Sequence, residues 1–346
     1  MIQEAISKLI HMQNLAQNET EQVMNEIMEG RATDAQISAF LVALRIKGET
    51  IDEITACAKI MRQKANTINP KAKFLVDTCG TGGDNSNTFN ISTAAAFVVS
   101  GAGASVAKHG NKSVSSKCGS ADVLKELGVN IEMPPKQVER CIEEIGIGFM
   151  FAPIFHPAMK FASNARKEIG IRTIFNILGP LTNPANAKSQ LIGVFDTNLL
   201  ETLVQVLKNL GSRHVIAVNG NGLDEITICN KTKVIELKNN NIGAYEINPA
   251  DFGFNLSSLS GIIGGTPQEN AMIITDILKG ADGPKRDVVL LNAAAALLAS
   301  DKVEDYKDAI ELAENSIDSG KALGRLNDLK KFSNEVGEFF SGVEHY

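Results

Sequence analysis

The stretch Asp77-Thr78-Cys79-Gly80-Thr81-Gly82-Gly83-Asp84 directly follows the apolar run Phe74-Leu75-Val76, and it constrains the chain more than any other segment. A strand ends there and a flexible loop begins. Three glycines within four positions let the backbone adopt positive φ and bring bare N–H groups close to an anion. The loop continues through Asn85, Asn87, Thr88 and Asn90 into Ile91-Ser92-Thr93-Ala94-Ala95-Ala96-Phe97-Val98-Val99, which reads as a buried helix. Its N-terminus is expected to point free N–H donors at the same anion. A glycine-rich corner between strand and helix can also be only a corner. The loop matches neither G-x-x-x-x-G-K-[ST] nor a G-x-G-x-x-G opening a helix directly, so a third kind of phosphate site is the live possibility.

A second stretch favours the anion. From Asn85 to Ala121 there is no Asp or Glu, while Lys108, His109, Lys112 and Lys117 fall within ten residues of a chain whose net charge is −6. A local cationic patch in an acidic protein suits a small anionic ligand better than a nucleic acid, whose binders spread basic charge over a whole face. Asn111, Ser113, Ser115, Ser116 and Ser120 add neutral donors.

These loops, with Asn90-Ile91-Ser92-Thr93 and Lys108-His109-Gly110-Asn111-Lys112-Ser113-Val114-Ser115-Ser116, resemble the signature loops of the anthranilate phosphoribosyltransferase family. The likeness continues through Phe155-His156-Pro157-Ala158-Met159, Asn164-Ala165-Arg166, Asn176 to Pro184 and Gly222-Leu223-Asp224-Glu225, and so covers nearly the whole chain. Lys112 departs from it, because the family more often has arginine there; lysine keeps the charge and loses the bidentate fork.

The resemblance implies transfer of the phosphoribosyl group of phosphoribosyl pyrophosphate to the amine of anthranilate in tryptophan biosynthesis. It implies Mg²⁺ held by Ser92, Asp224 and Glu225; from spacing alone an adjacent acidic pair is usually just solvated. Contacts to phosphoribosyl pyrophosphate carry over to Gly80, Gly82, Gly83, Asp84, Thr88, Asn90, Ile91, Ser92, Thr93, Lys108, His109, Gly110, Asn111, Lys112, Ser113, Val114, Ser115, Ser116 and Ser120. Contacts to anthranilate carry over to Gly80, Asn111 and Arg166, with Arg166 facing the carboxylate. No catalytic acid or base is assigned, since an arylamine already has a free lone pair near neutrality; His109 stands open between a structural role, an orienting donor and a catalytic group. Two other readings compete. A pyrimidine-nucleoside phosphorylase has a similar architecture, but its phosphate-loop pattern is absent and the acidic pair would have no task. A nucleic-acid binder on a similar fold would need a basic surface.

The fold expected is α/β, a mainly parallel central sheet flanked by helices, plus a smaller all-helical domain. Residues 1–70 form the helical domain, joined by part of 157–184, and 71–346 form the catalytic domain, so the domains are discontinuous. Helix starts are expected where Asn18 precedes Glu21, Thr33 precedes Gln36 and Thr50 precedes Glu53, with stops at Gly30 and Gly48. Strands are expected at Phe74–Thr78, Ser105–Lys108, Asn130–Glu132, Phe149–Ala152, Leu191–Phe195 and Val215–Val218. Short antiparallel strands follow at Ile226–Cys229, Lys233–Leu237 and Ala244–Ile247. In the resembling family the helical domain makes a homodimer contact. Five cysteines without a C-x-x-C spacing argue for reduced thiols in a cytosol. With no leader-like N-terminus and no apolar run long enough to span a bilayer, a soluble cytoplasmic protein is expected.

Overall fold

The computed structural model describes residues 1–113 and 117–340, with side chains to 335. It begins with four helices, Ile2–Ile10, Gln17–Met28, Asp34–Lys47 and Ile51–Gln63. Capping sets two of the starts. Thr33 and Thr50 accept the amides of Gln36 and Glu53, and those side chains in turn accept the amides of Thr33 and Thr50. The start expected at Asn18 is displaced. The helix begins at Gln17, because the Glu19 carboxylate accepts the Ala16 amide at 2.9 Å and leaves Asn18 inside the first turn. Gly48 caps the third helix as expected, while Gly30 falls one residue beyond the cap Glu29.

Seven strands form one sheet: β1 Leu75–Gly80, β2 Ser105–Gly110, β3 Ile147–Phe151, β4 Ser189–Gly193, β5 His214–Asn219, β6 Thr232–Lys238 and β7 Asn241–Ile247. Their order is β3-β2-β1-β4-β5-β6-β7; the first five are parallel, and β6 and β7 are antiparallel. The chain moves outward from β1 to β3, then returns to the other side of β1 with β4. The strand order therefore reverses at β1, and a crevice opens beyond the C-terminal ends of β1 and β4, where ligands of open α/β sheets bind.

Period-two side-chain alternation separates two cores. Leu191, Ile216 and Val218 point to one face, where they pack with the buried helices Ile91–Gly101 and Pro284–Ala299. Ile192, Val215 and Ala217 point to the other face. There they join the N-terminal helices, Ala162 and Ala165 of the helix Lys160–Ile169, and Phe175, Leu178 and Leu181. Cover on both faces explains why β4 and β5 are buried along their whole length and carry apolar residues on both pleats.

Two expected strands are absent, each because side chains satisfy the backbone. Asn130 Oδ1 accepts the Glu132 amide at 3.0 Å and curls 130–132 into a turn, tied by its own amide to Ser333. In 226–229 the Asn292 amide group bonds both Ile226 N and Ile226 O, and Thr232 and Thr227 hydroxyls accept the amides of Thr227 and Cys229. No ladder remains to be formed there. Phe74 takes φ 53°, so β1 starts at Leu75 and extends to Gly80. The β6–β7 turn has positive φ at Asn239 and Asn240, which matches the twist of the hairpin. Among the described residues no helix is long and apolar enough to cross a membrane, and no two cysteines are joined in a disulfide.

Candidate active site

The crevice is closed by a turn after β5 that carries Asp224 and Glu225 across to both loops of β1. The Gly82 amide donates to Asp224 Oδ2 at 2.7 Å, and the Ser92 amide donates to Glu225 Oε1 at 3.0 Å. Gly80 and Gly193 make this crossing possible. A Cβ on Gly80 would lie 2.6 Å from Asp224 Oδ2, and one on Gly193 would overlap the Asp224 carbonyl. Asp84 faces the same pair, its carboxylate anchored by the amide and hydroxyl of Ser86. Withdrawal from water, then the charge of Asp84, pushes the Asp224 carboxyl well above its ordinary range. Withdrawal from water, then Asp224, pushes Glu225 up likewise, against the pull of Lys108.

The expectation of free amides at the helix N-terminus is corrected here. Ile91 N–H donates to Phe89 O, Ser92 N–H to Glu225 and Thr93 N–H to Asn90 O, while Gly82 N–H is held by Asp224. Carboxylates occupy donors that a phosphate was expected to take. What fits such a cluster is a divalent cation, which neutralises the facing carboxylates and lets substrate oxygens complete its shell. Among the described residues no three His, Cys, Asp or Glu side chains are grouped so as to hold a metal.

Lys108 is buried on β2; its Nζ donates to the Thr78 carbonyl and reaches Ser92 Oγ at 3.3 Å. It joins β1, β2 and the helix start at one charged point. Thr93 Oγ1 is buried there without a partner among the described residues. Asp77, on the opposite pleat from Val76, accepts from the His109 amide and from Gln190 Nε2, and burial pushes its carboxyl up to about 6.

The second signature loop starts at the end of β2. The Asn111 carbonyl accepts from Ser120 Oγ and the Ala121 amide, the Ser113 and Gly119 amides donate to Asp122, and Lys112 Nζ sits 5.9 Å over the Phe151 ring. Gly110 ends β2 beside it, and Thr88 pairs with Ile263 across the mouth. Val114, Ser115 and Ser116 lie outside the described residues.

Beside these loops lie His109, His156 and the helix Lys160–Ile169. His109 Nδ1 lies 3.1 Å from the Gly179 carbonyl and so donates, which leaves Nε2 as a bare acceptor. That atom and His156 Nε2 are buried without partners among the described residues, and the two rings are 5.0 Å apart. His156 leads into the helix carrying Arg166, whose guanidinium lies over Phe175 with no ion pair or hydrogen bond among the described residues. Arg166 thus leaves its charge open on this side.

Burial holds His109 down to about 3 and His156 to about 4, so both rings are neutral at working pH. A ring so hard to protonate presents Nε2 as a hydrogen-bond acceptor and has no proton there to give near neutrality. Folded-state values below about 6.5 mean that the unfolded chain binds more protons below that pH, so stability falls with pH between 6.5 and 3. By pH 5 each ring is expected to cost on the order of 2 kcal/mol. Chemical denaturation of His109→Gln and His156→Gln beside the parent should show flatter acid limbs; the difference cancels the opposite contribution of Asp77. Parallel limbs would refute the neutral pair.

Three groups escaped the sequence. Arg172, whose Nη2 donates to the Gly83 carbonyl while its Cζ lies 4.3 Å from the Phe195 ring centroid, stood in the run Ile171-Arg172-Thr173-Ile174-Phe175, to which no role was given. His156 sat within a resembling motif but had no role. Asn270, bonded to Asn90, carried no local signal at all.

Two family models match the chain, "Glycosyl transferase family, helical bundle domain" over 3–65 and "Glycosyl transferase family, a/b domain" over 72–323. The anthranilate phosphoribosyltransferase of Acetivibrio thermocellus is 56% identical over 335 residues, covering 96% of this chain and 97% of the relative. That of Alkaliphilus metalliredigens is 55% identical over 337 residues, 97% of this chain and 99% of the relative. The crystal structure of anthranilate phosphoribosyltransferase from Thermus thermophilus superposes with a TM-score of 0.91 at 40% identity, over 95% of this chain and 99% of that one. The Saccharomyces cerevisiae enzyme in complex with phosphoribosyl pyrophosphate and Mg superposes with a TM-score of 0.88 at 29% identity, over 96% and 98%.

Proposed function

The chain belongs to the anthranilate phosphoribosyltransferase family, and from that premise we propose how its own residues divide the reaction. It transfers the phosphoribosyl group of phosphoribosyl pyrophosphate to the amine of anthranilate, giving N-(5-phosphoribosyl)anthranilate and pyrophosphate in tryptophan biosynthesis. The bond from the ribose anomeric carbon to pyrophosphate breaks with its electron pair on the leaving oxygen. The amine lone pair forms the new C–N bond, and the resulting arylammonium, a strong acid, gives its proton to water.

The pyrophosphate end belongs to the 80–93 and 108–120 loops. Ser92, Asp224 and Glu225, with Asp84 beside them, hold Mg²⁺ there, a role supported by the raised proton affinity of the facing carboxylates. Bound there, Mg²⁺ supplies positive charge to the leaving oxygens. The acceptor end belongs to Gly80, Asn111 and Arg166, with His109 Nε2 accepting an amine proton in a hydrogen bond. The observation that carries this division is the bridge of Asp224 to Gly82 and of Glu225 to Ser92, which gathers both halves of the first loop around one acidic pair.

The helices before residue 70 and the segment around Lys160–Ile169 act as one helical domain. Two copies pair through it in the cytoplasm. Exposed Ile10, Met12 and Ile46 support pairing, and a hydrogen bond from Lys47 Nζ to Asn14 Oδ1 sets those helix ends side by side.

Loss of anthranilate fluorescence on adding phosphoribosyl pyrophosphate and Mg²⁺ tests the acceptor assignment. Arg166→Ala should raise KM for anthranilate roughly 10- to 150-fold, the value of a charge-assisted bond worth about 1.5–3 kcal/mol. KM for phosphoribosyl pyrophosphate should change far less. Equal changes in both constants would mean that Arg166 only braces the fold.

A further inference from the structure

The helix that starts at Ile91 has an unusual entry. Asn90 occupies its N-cap, a position where asparagine ordinarily turns its side-chain oxygen onto the amides of the first turn, yet here it makes no such bond. The oxygen is taken elsewhere. Asn270 Nδ2 donates to Asn90 Oδ1 at 2.9 Å, and Asn90 Nδ2 donates onward to the Cys118 carbonyl at 3.1 Å. Asn270 is itself fixed, because its Oδ1 accepts the Gly265 amide at 2.8 Å and its side chain is 1% exposed. The segment before it is laced to the first loop by backbone contacts. Gly264 N–H donates to Asn87 O, Phe89 N–H donates to Ile262 O, and Thr88 pairs with Ile263.

A relay thus runs from Gly265 through Asn270 and Asn90 to Cys118, and it joins three segments that are distant in sequence. It has two consequences. It sets the separation between the first loop, ending at Asn90, and the second, which returns at Cys118. It also withholds Asn90 from its own helix, so the Ser92 amide stays available to Glu225 and is not enclosed by a cap. An asparagine released from Asn270 would be free to swing onto that amide, closing the end of the helix that the acidic pair faces.

We propose that Asn270 is a positioning residue for phosphoribosyl pyrophosphate: through Asn90 it holds the two anion-binding loops at their working separation and keeps the helix entry open. It touches no substrate. The proposal rests on the reading that these loops bind phosphoribosyl pyrophosphate.

Asn270→Asp tests it with least disturbance, because the carboxylate can still accept from Gly265 but cannot donate to Asn90. The expected result is a rise of about tenfold or more in KM for phosphoribosyl pyrophosphate, with KM for anthranilate within about twofold. In a double-variant cycle Asn90→Ala should have a similar effect alone, and Asn270→Asp should add little to it, since both break one relay. Asn270→Ala, which removes the donor to Asn90 outright, takes the place of Asn270→Asp if that variant does not fold. Full additivity with Asn90→Ala, or equal changes in both KM values, would overturn the relay. If Asn90→Ala leaves KM for phosphoribosyl pyrophosphate unchanged, the underlying assignment of the loop fails and takes the proposal with it; if only Asn270→Asp leaves it unchanged, the proposal alone fails.

Discussion

Replacing Asp224 by Asn together with Glu225 by Gln is expected to lower turnover by about a thousandfold while the protein without metal melts at or above the parent temperature. The two halves of this result come from the same pair of side chains. In the fold the carboxylates are a liability, held together out of water with Asp84 facing Asp224, and both are pushed toward the protonated state. Neutral amides of the same shape remove that repulsion. Each keeps an oxygen able to accept the Gly82 or Ser92 amide, so the loops stay tied. Neutral amides hold a divalent cation far more weakly than carboxylates do, and in the proposed reading that cation offsets the charge of the leaving pyrophosphate. Thermal melts with and without Mg²⁺ plus phosphoribosyl pyrophosphate make the separation visible. The parent should gain stability from the combination and lose the gain in chelator, and the double variant should respond to neither. A double variant that turns over like the parent at limiting Mg²⁺ would remove the pair from metal binding, and one that melts well below it would make the pair structural.

Much of this arrangement is visible in the sequence because its physics is local. Glycines after an apolar run, a stretch without acids and a capping Thr three residues before Gln or Glu are short-range signals, and β1, β2 and the helices at Asp34 and Ile51 appear where those signals lie. The expected strands at 130–132 and 226–229 fail for the opposite reason. Their backbone groups are satisfied by Asn130, Thr227, Thr232 and the distant Asn292, and a lone apolar run does not announce such partners. The same holds at the site. Glycine and lysine residues of the loops could be named from their own neighbourhood, but that Gly82 and Ser92 donate to carboxylates more than 130 positions away could not. The expectation of open amides failed on that point. Arg172 and Asn270 act across 89 and 180 positions, and only the fold shows what they hold.

Gly83→Ala is expected to weaken binding of phosphoribosyl pyrophosphate about tenfold or more, by a route that differs from simple obstruction of the ligand. At φ +78° an alanine is strained wherever its methyl points, a cost of about 1 kcal/mol or somewhat more. The methyl would also lie 2.8 Å from Arg172 Nη2 and 3.1 Å from its Cζ. The guanidinium that holds the Gly83 carbonyl must then move, and its stacking on Phe195 moves with it. Gly82→Ala separates strain from collision, because φ there is +66° and a Cβ meets nothing within 4 Å. Both variants should lose similar stability, while Gly83→Ala alone should unlatch Arg172. Pairing Gly83→Ala with Arg172→Ala then decides the mechanism. If the guanidinium is the latch, the double variant binds phosphoribosyl pyrophosphate as Arg172→Ala does, since there is nothing left to displace. If the methyl itself stands in the path of the ligand, the double variant binds worse than Arg172→Ala. Calorimetric titration beside thermal melts reads both quantities, with anthranilate binding changed less than that of phosphoribosyl pyrophosphate. A Gly83→Ala protein that loses stability yet keeps its affinity for phosphoribosyl pyrophosphate would show that this loop turns the chain and does not hold the substrate.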